Sequence, residues 1–218
     1  MNLGIIIILI TALAFLSNLL NWKFLNSKIT YFLYCIGAFI HEISHAIVCI
    51  ITFAKIERFE VFSRTPQVIH RKSRLPIIGE LLISFAPIAG GLLFLFSINN
   101  YLLGNYFELP AIYKWQDILS APLNLISQIN FLEWQSWIMI LLFINTGAML
   151  GPSLRDLKNV WLPLIILFFI DSAPLVSLGL LAISFILINI AIQIAIIFFL
   201  FLLGYLRRVL TSPKSPSW

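Results

Sequence analysis

The chain has 218 residues, of which 61% are hydrophobic and only 11% charged, and its mean hydropathy is +1.00. Soluble domains carry roughly 25% charged residues, so this composition excludes a soluble enzyme, a free nucleic-acid binder and a disordered chain. What remains is an all-α polytopic membrane protein with a net charge of +5.

A membrane span takes about 20 mostly apolar residues. The first such stretch, residues 3–20, has no basic segment before it, and Lys23 and Lys28 follow it. It therefore reads as a retained span and not as a removable signal peptide. The second, residues 31–53, contains Cys35 and Cys49, which on one helix lie about 21 Å apart and cannot bridge each other. It also contains the one polar cluster that interrupts its apolar run, His41-Glu42-Ile43-Ser44-His45. Histidines four residues apart project from one face of a helix and can share one Zn²⁺. Glu42 is then beside them, placed as general base for the water that such a metal activates. With this composition the pattern arises by chance about once in a thousand such chains. Ionisable side chains inside a span cost kilocalories unless they pair or coordinate, and so mark function.

Residues 54–79 alternate around Thr65-Pro66, which predicts a short β-hairpin between spans two and three. The third span covers 80–98. The connection 99–136 carries Tyr101, Tyr106, Tyr113, Trp115 and Trp134, aromatics that favour a membrane–water interface. The fourth span covers 137–154. A 47-residue apolar tract, 160–206, is too long for one crossing. Asp171-Ser172-Ala173-Pro174 and Gly179 mark where it breaks, giving spans at about 158–177 and 180–206. The residues through 211 thus form one membrane domain of six spans, followed by a polar tail, 212–218.

Charge supports that count. Six spans put Lys55, Arg58, Arg64, Arg71, Lys72 and Arg74, then Arg155 and Lys158, then Arg207, Arg208 and Lys214 on one side. That is 11 cations against Lys23, Lys28 and Lys114, whereas five spans leave 8 against 6. The positive-inside rule then places both termini in the cytoplasm of a cell or organellar inner membrane. The 54–79 cations touch anionic headgroups.

A catalytic zinc site usually has three protein ligands and one open position. His70 falls in the hairpin and reads as a solvated surface residue. Glu57 and Glu60 follow the second span too closely to fold back, and Glu108, Asp117 and Glu133 belong to the opposite side. Asp156 is the preferred third ligand. Gly151-Pro152 ends the fourth span and Ser153 caps a new segment that carries it. Snorkelling of Arg155 and Lys158 reconciles its depth with theirs. Asp171 is the reserve ligand. Asn145, polar within span four, is either a donor to the oxyanion or substrate backbone or an interhelical hydrogen bond. Cys49, four residues beyond His45, lines the cavity or fills it as a small apolar group.

With His-Glu-Ile-Ser-His-Ala in span two, a Pro-preceded Asp156 after span four, and six spans, the chain resembles the site-2 protease family of intramembrane zinc metalloproteases. Ser84-Phe85-Ala86-Pro87-Ile88-Ala89-Gly90-Gly91 is similar to a small-residue, Pro-containing segment of that family's third span. The hairpin is similar to its membrane-associated β region. Where the family carries Leu-Asp-Gly, this chain has Leu154-Arg155-Asp156-Leu157, the mark of a divergent branch. The resemblance covers roughly residues 30–160. It implies one Zn²⁺ and hydrolysis of membrane-protein segments that unwind locally and pair with the hairpin edge near Val61 and Val68. The alternative is a non-proteolytic zinc-binding membrane protein, a transporter or scaffold subunit, with Asn189 and Gln193 lining a pathway. Oligomeric state is left open.

Overall fold

The computed structural model describes residues 2–24, 27–61, 63, 66–75, 77–110, 112, 114, 116–151, 156, 169 and 172–211. Among them are helices α1 (Leu3–Phe24), α2 (Ser27–Ile51), α3 (Ile78–Ser97), α4 (Asp117–Ser127), α5 (Trp134–Leu150) and α6 (Ala173–Thr211). Strands β1 (Ile56–Glu60) and β2 (Gln67–His70) lie between α2 and α3, and one π-helical turn, Ile98–Leu102, prolongs α3. Helices α1, α2, α3 with its π turn, and α6 are long and apolar enough to cross a membrane, while α5 is apolar but shorter, at 17 residues. This is the architecture of an integral membrane protein with a small sheet appended.

Helix α5 is the hub. It packs on α1, α2, α3 and α6, while α2 also packs on α3 and α1 on α6. Phe143 of α5 and Phe185 of α6 are fully buried with ring centroids 5.8 Å apart. Large apolar side chains on α1 and α6, such as Phe15, Phe198 and Phe201, are exposed, as helices facing hydrocarbon require.

The hairpin forms as predicted: β1 and β2 are antiparallel, pairing Glu60 with Gln67, Phe59 with Val68 and Arg58 with Ile69, with an irregularity between Ile56 and Arg58. Arg71 Nε donates to Glu57 Oε1 and Arg58 Nη2 to Glu60 Oε1 (2.6 Å). The Arg71 guanidinium holds the Glu57 carboxyl below the usual carboxylate range. At its base, Ser73 Oγ donates to the Thr52 carbonyl and Glu80 accepts from Ser73 N–H, both at 2.8 Å, tying the hairpin to α2 and α3.

Two boundaries and one helix differ from the sequence reading. Helix α5 ends at Leu150, not at residue 154, because Gly151 is extended (φ −77°, ψ 121°), as the residue before a proline should be. The last helix starts at Ala173, not at residue 180. Pro174 falls in its first turn, where the missing N–H costs nothing. Gly179 does not break it: a Cβ there would strike Cγ2 of Ile6, so this glycine permits close approach of α1 to α6. The predicted fifth span, 158–177, lies mostly outside the described residues, as do Tyr113, Trp115 and the tail. The third difference is α4, which the connection 99–136 conceals behind Pro122. Its buried residues Ile118, Ala121, Pro122 and Leu125 have helical spacing and pack on α6.

Asn189 and Gln193 are fully buried. Ser17 Oγ donates to Asn189 Oδ1 (2.8 Å), Asn189 Nδ2 donates to the Ile144 carbonyl, and Gln193 Nε2 donates to Ser17 Oγ (2.7 Å) and to Tyr34 Oη (2.9 Å). These bonds knit α1, α2, α5 and α6 together.

Candidate metal centre

The histidines stand on the apolar stretch of α2 from Tyr34 to Ile51. Four residues apart, they share one helix face, and that face meets α5 and α3. Contact with α5 is close because Gly37 has no side chain: a Cβ would come within 2.6 Å of the Asn145 backbone oxygen. One turn further along α2, both imidazoles are buried, His41 at 7% exposed and His45 at 5%.

The two Nε2 atoms are 3.1 Å apart. Asp156 approaches both, with Oδ1 at 3.4 Å from His45 Nε2 and Oδ2 at 3.8 Å from His41 Nε2. One ligating atom from each of His41, His45 and Asp156 lies within 4.8 Å of the others, so the group is able to hold a metal ion. A tetrahedron with metal–ligand bonds of about 2.05 Å has edges of about 3.3 Å, close to these separations. Charge-assisted hydrogen bonds would be shorter, about 2.7–2.9 Å.

Two of the three residues are held from behind. His45 Nδ1–H donates to the Ile83 carbonyl of α3 at 2.8 Å. A carbonyl only accepts, so Nδ1 carries a proton, and in the neutral ring the Nε2 lone pair then faces His41 and Asp156. Among the described residues no donor or acceptor stands at bonding distance from the buried His41 Nδ1, and the backbone of Met149 and Ala148 lies nearby. Those residues belong to the last turn of α5, whose carbonyls lack helical donors. Ser84 Oγ donates to the backbone carbonyl of Asp156 at 2.9 Å, fastening the aspartate to α3. Such outer contacts fix ring orientation and ligand basicity. Three electron-rich atoms thus converge in an apolar surround, a donor set that fits a small divalent cation.

Glu42 is buried, at 8% exposed, and close enough to His45 for its charge to act there. Asn145 is fully buried; its Oδ1 accepts the Gly37 N–H at 2.7 Å and its Nδ2 donates to the Leu141 carbonyl at 2.8 Å. It is placed as a tie between α5 and α2. Cys49 is buried with Ala54 and Ile83 in a small apolar cluster. His70 sits on the hairpin, its Nδ1–H donated to the Arg71 carbonyl at 2.9 Å, away from the group. Asp171, Ser153, Arg155 and Lys158 lie outside the described residues. Ile83 and Ser84 were not among the sequence candidates, since a backbone carbonyl leaves no signature in residue type. The signal for the first was Pro87, four residues on.

Comparison with protein-family models, curated proteins and solved structures finds no match for this chain.

Proposed function

We propose that the chain is an intramembrane zinc metalloprotease of the site-2 protease type, cleaving transmembrane or membrane-proximal segments of membrane-protein substrates. One observation carries this reading: His41, His45 and Asp156 converge within an apolar helix packing with a buried Glu42 alongside. A site that only bound metal would have no use for that carboxylate. His41, His45 and Asp156 would hold the zinc ion, which would supply an activated water with its pKa brought towards 7.

The chain's own residues supply the rest. Glu42 accepts the proton from the attacking water and later hands it to the leaving amine. The Ile83 carbonyl and Ser84 hydroxyl keep His45 and Asp156 in place. A substrate helix must unwind to expose its peptide bond, and the open edges of the β1–β2 hairpin offer it backbone pairing. The cation asymmetry supports cytoplasmic termini and puts the hairpin on the cytoplasmic face.

The test is Glu42→Gln in the full chain, purified and reconstituted in liposomes with a panel of transmembrane reporter segments containing Gly or Pro. Hydrolysis should fall about 10²–10⁴-fold while one zinc per chain is retained. Cleavage unchanged in the variant would refute Glu42 as the base. A wild-type chain that binds zinc, cleaves none of the panel and carries zinc across the vesicle wall would replace the protease with a transporter.

A further inference from the structure

We propose that Pro87 is a positioning residue of the metal centre: having no N–H, it leaves the Ile83 carbonyl open to His45 Nδ1 and so aims His45 Nε2 at His41 and Asp156. The inference rests on the metal-site reading above and adds a residue that touches neither metal nor substrate.

In an α-helix the carbonyl of residue i accepts the N–H of residue i+4. For Ile83 that partner is Pro87, which lies inside α3 and has no proton to give. The pyrrolidine ring also crowds the carbonyl four residues back and pushes it away from the helix axis. An unpaired carbonyl in an apolar surround is unfavourable, and the acceptor seeks a new donor. That donor is His45 Nδ1–H, 2.8 Å away on the neighbouring helix. The bond selects the tautomer, because a ring that donates through Nδ1 presents its lone pair at Nε2. Ser84, the next residue of α3, donates to the Asp156 carbonyl. One turn of α3 from Ile83 to Pro87 therefore orients two of the three ligands.

Alanine at position 87 returns a helical N–H to Ile83, draws the carbonyl back towards the axis and weakens it as an acceptor for the imidazole. Loss of an outer partner of a metal-bound histidine typically lowers affinity about 10–100-fold, and the lower end of that range is expected because the carbonyl retains a second lone pair. The experiment measures Co²⁺ and Zn²⁺ affinity of the full chain in detergent by chelator competition, for wild type, Pro87→Ala, and a chain with lactic acid at position 87. Lactic acid carries the alanine methyl but an ester oxygen where alanine has its N–H. The expected order is tight binding in wild type, about tenfold weaker in Pro87→Ala, and recovery to within threefold of wild type with lactic acid.

Wild-type affinity in Pro87→Ala overturns the inference and leaves the metal site standing. Equal weakening by alanine and lactic acid also overturns it, since helix shape and not the freed carbonyl would then matter. Should the variants fail to fold, ¹⁵N spectra of the wild-type, zinc-loaded protein decide: a protonated Nδ1 and a coordinated Nε2 on His45 are expected, and coordination through Nδ1 overturns the proposal. A wild-type chain that takes up neither ion overturns the metal reading and this inference together.

Discussion

Asp156 is the ligand whose assignment is tested most sharply. The substitution Asp156→Asn preserves size and shape but removes the charge and leaves only a weak amide oxygen facing two Nε2 atoms 3.1 Å apart. Four-ligand zinc sites bind with about 10–16 kcal/mol, so one ligand contributes about 3–4 kcal/mol. At 1.4 kcal/mol per decade, losing one of them weakens zinc binding by about two to three decades. The Ser84 contact goes to the backbone of Asp156 and survives the change, so the loss reports on the carboxylate itself. Chelator competition reads the affinity directly. Thermal unfolding gives a second view, because a hundredfold rise in Kd removes about 2.7 kcal/mol of ligand stabilisation at zinc concentrations well above the variant's Kd. Affinity within threefold of wild type in Asp156→Asn, together with metal loss in Asp171→Ala, would refute the assignment and transfer the third ligand to Asp171.

Two further outcomes follow from the packing and the hairpin. Gly37→Val places a side chain within 2.6 Å of the Asn145 backbone oxygen, a contact that only separation of α2 from α5 relieves; overpacking of this kind typically costs about 1–3 kcal/mol. A lowered unfolding temperature in detergent is expected, and an unchanged one would show that the two helices part freely. Glu57 is held below its usual range by Arg71, so the ionised pair is present above the unfolded-state pKa and is lost as pH falls through the folded one. Arg71→Ala should raise the Glu57 pKa towards about 4.3, as read by a carboxyl NMR titration, and a value that does not move would dissolve the pair.

Much of this was legible because membrane helices are written in long apolar runs, and a polar residue inside one stands out. His41, Glu42 and His45 are visible for that reason, and the i, i+4 spacing of the histidines puts both rings on one helix face. The hairpin showed itself by alternation. Asp156 required an argument about depth, since its own neighbourhood reads as a charged loop, and only the folded chain brings it within 3.8 Å of either histidine. Boundaries fared worse where one residue type does two jobs. Gly179 reads as a breaker in sequence but serves as a contact surface for Ile6, and Pro122 hides an amphipathic helix whose buried face is regular. What periodicity cannot carry is the backbone: Ile83 is an ordinary apolar residue whose function lies in its carbonyl.

The geometry of the three donors also separates two ways of stabilising them. Protons alone would hold the cluster if His45 were fully protonated, donating through Nδ1 to Ile83 and through Nε2 to its neighbours. Such charge-assisted bonds draw partners to about 2.7–2.9 Å, yet Asp156 stands 3.4 Å from His45 and 3.8 Å from His41. These gaps are longer than that and close to the edge of a tetrahedron of ligands around a small metal ion. Bringing a carboxylate and two imidazoles together in an apolar packing is costly, and two helices hold that arrangement: Gly37 of α2 admits α5, while Pro87 and Ser84 of α3 release the Ile83 carbonyl and anchor Asp156. Contacts from α2 and α3 thus converge on His41, His45 and Asp156, a group able to hold a cation.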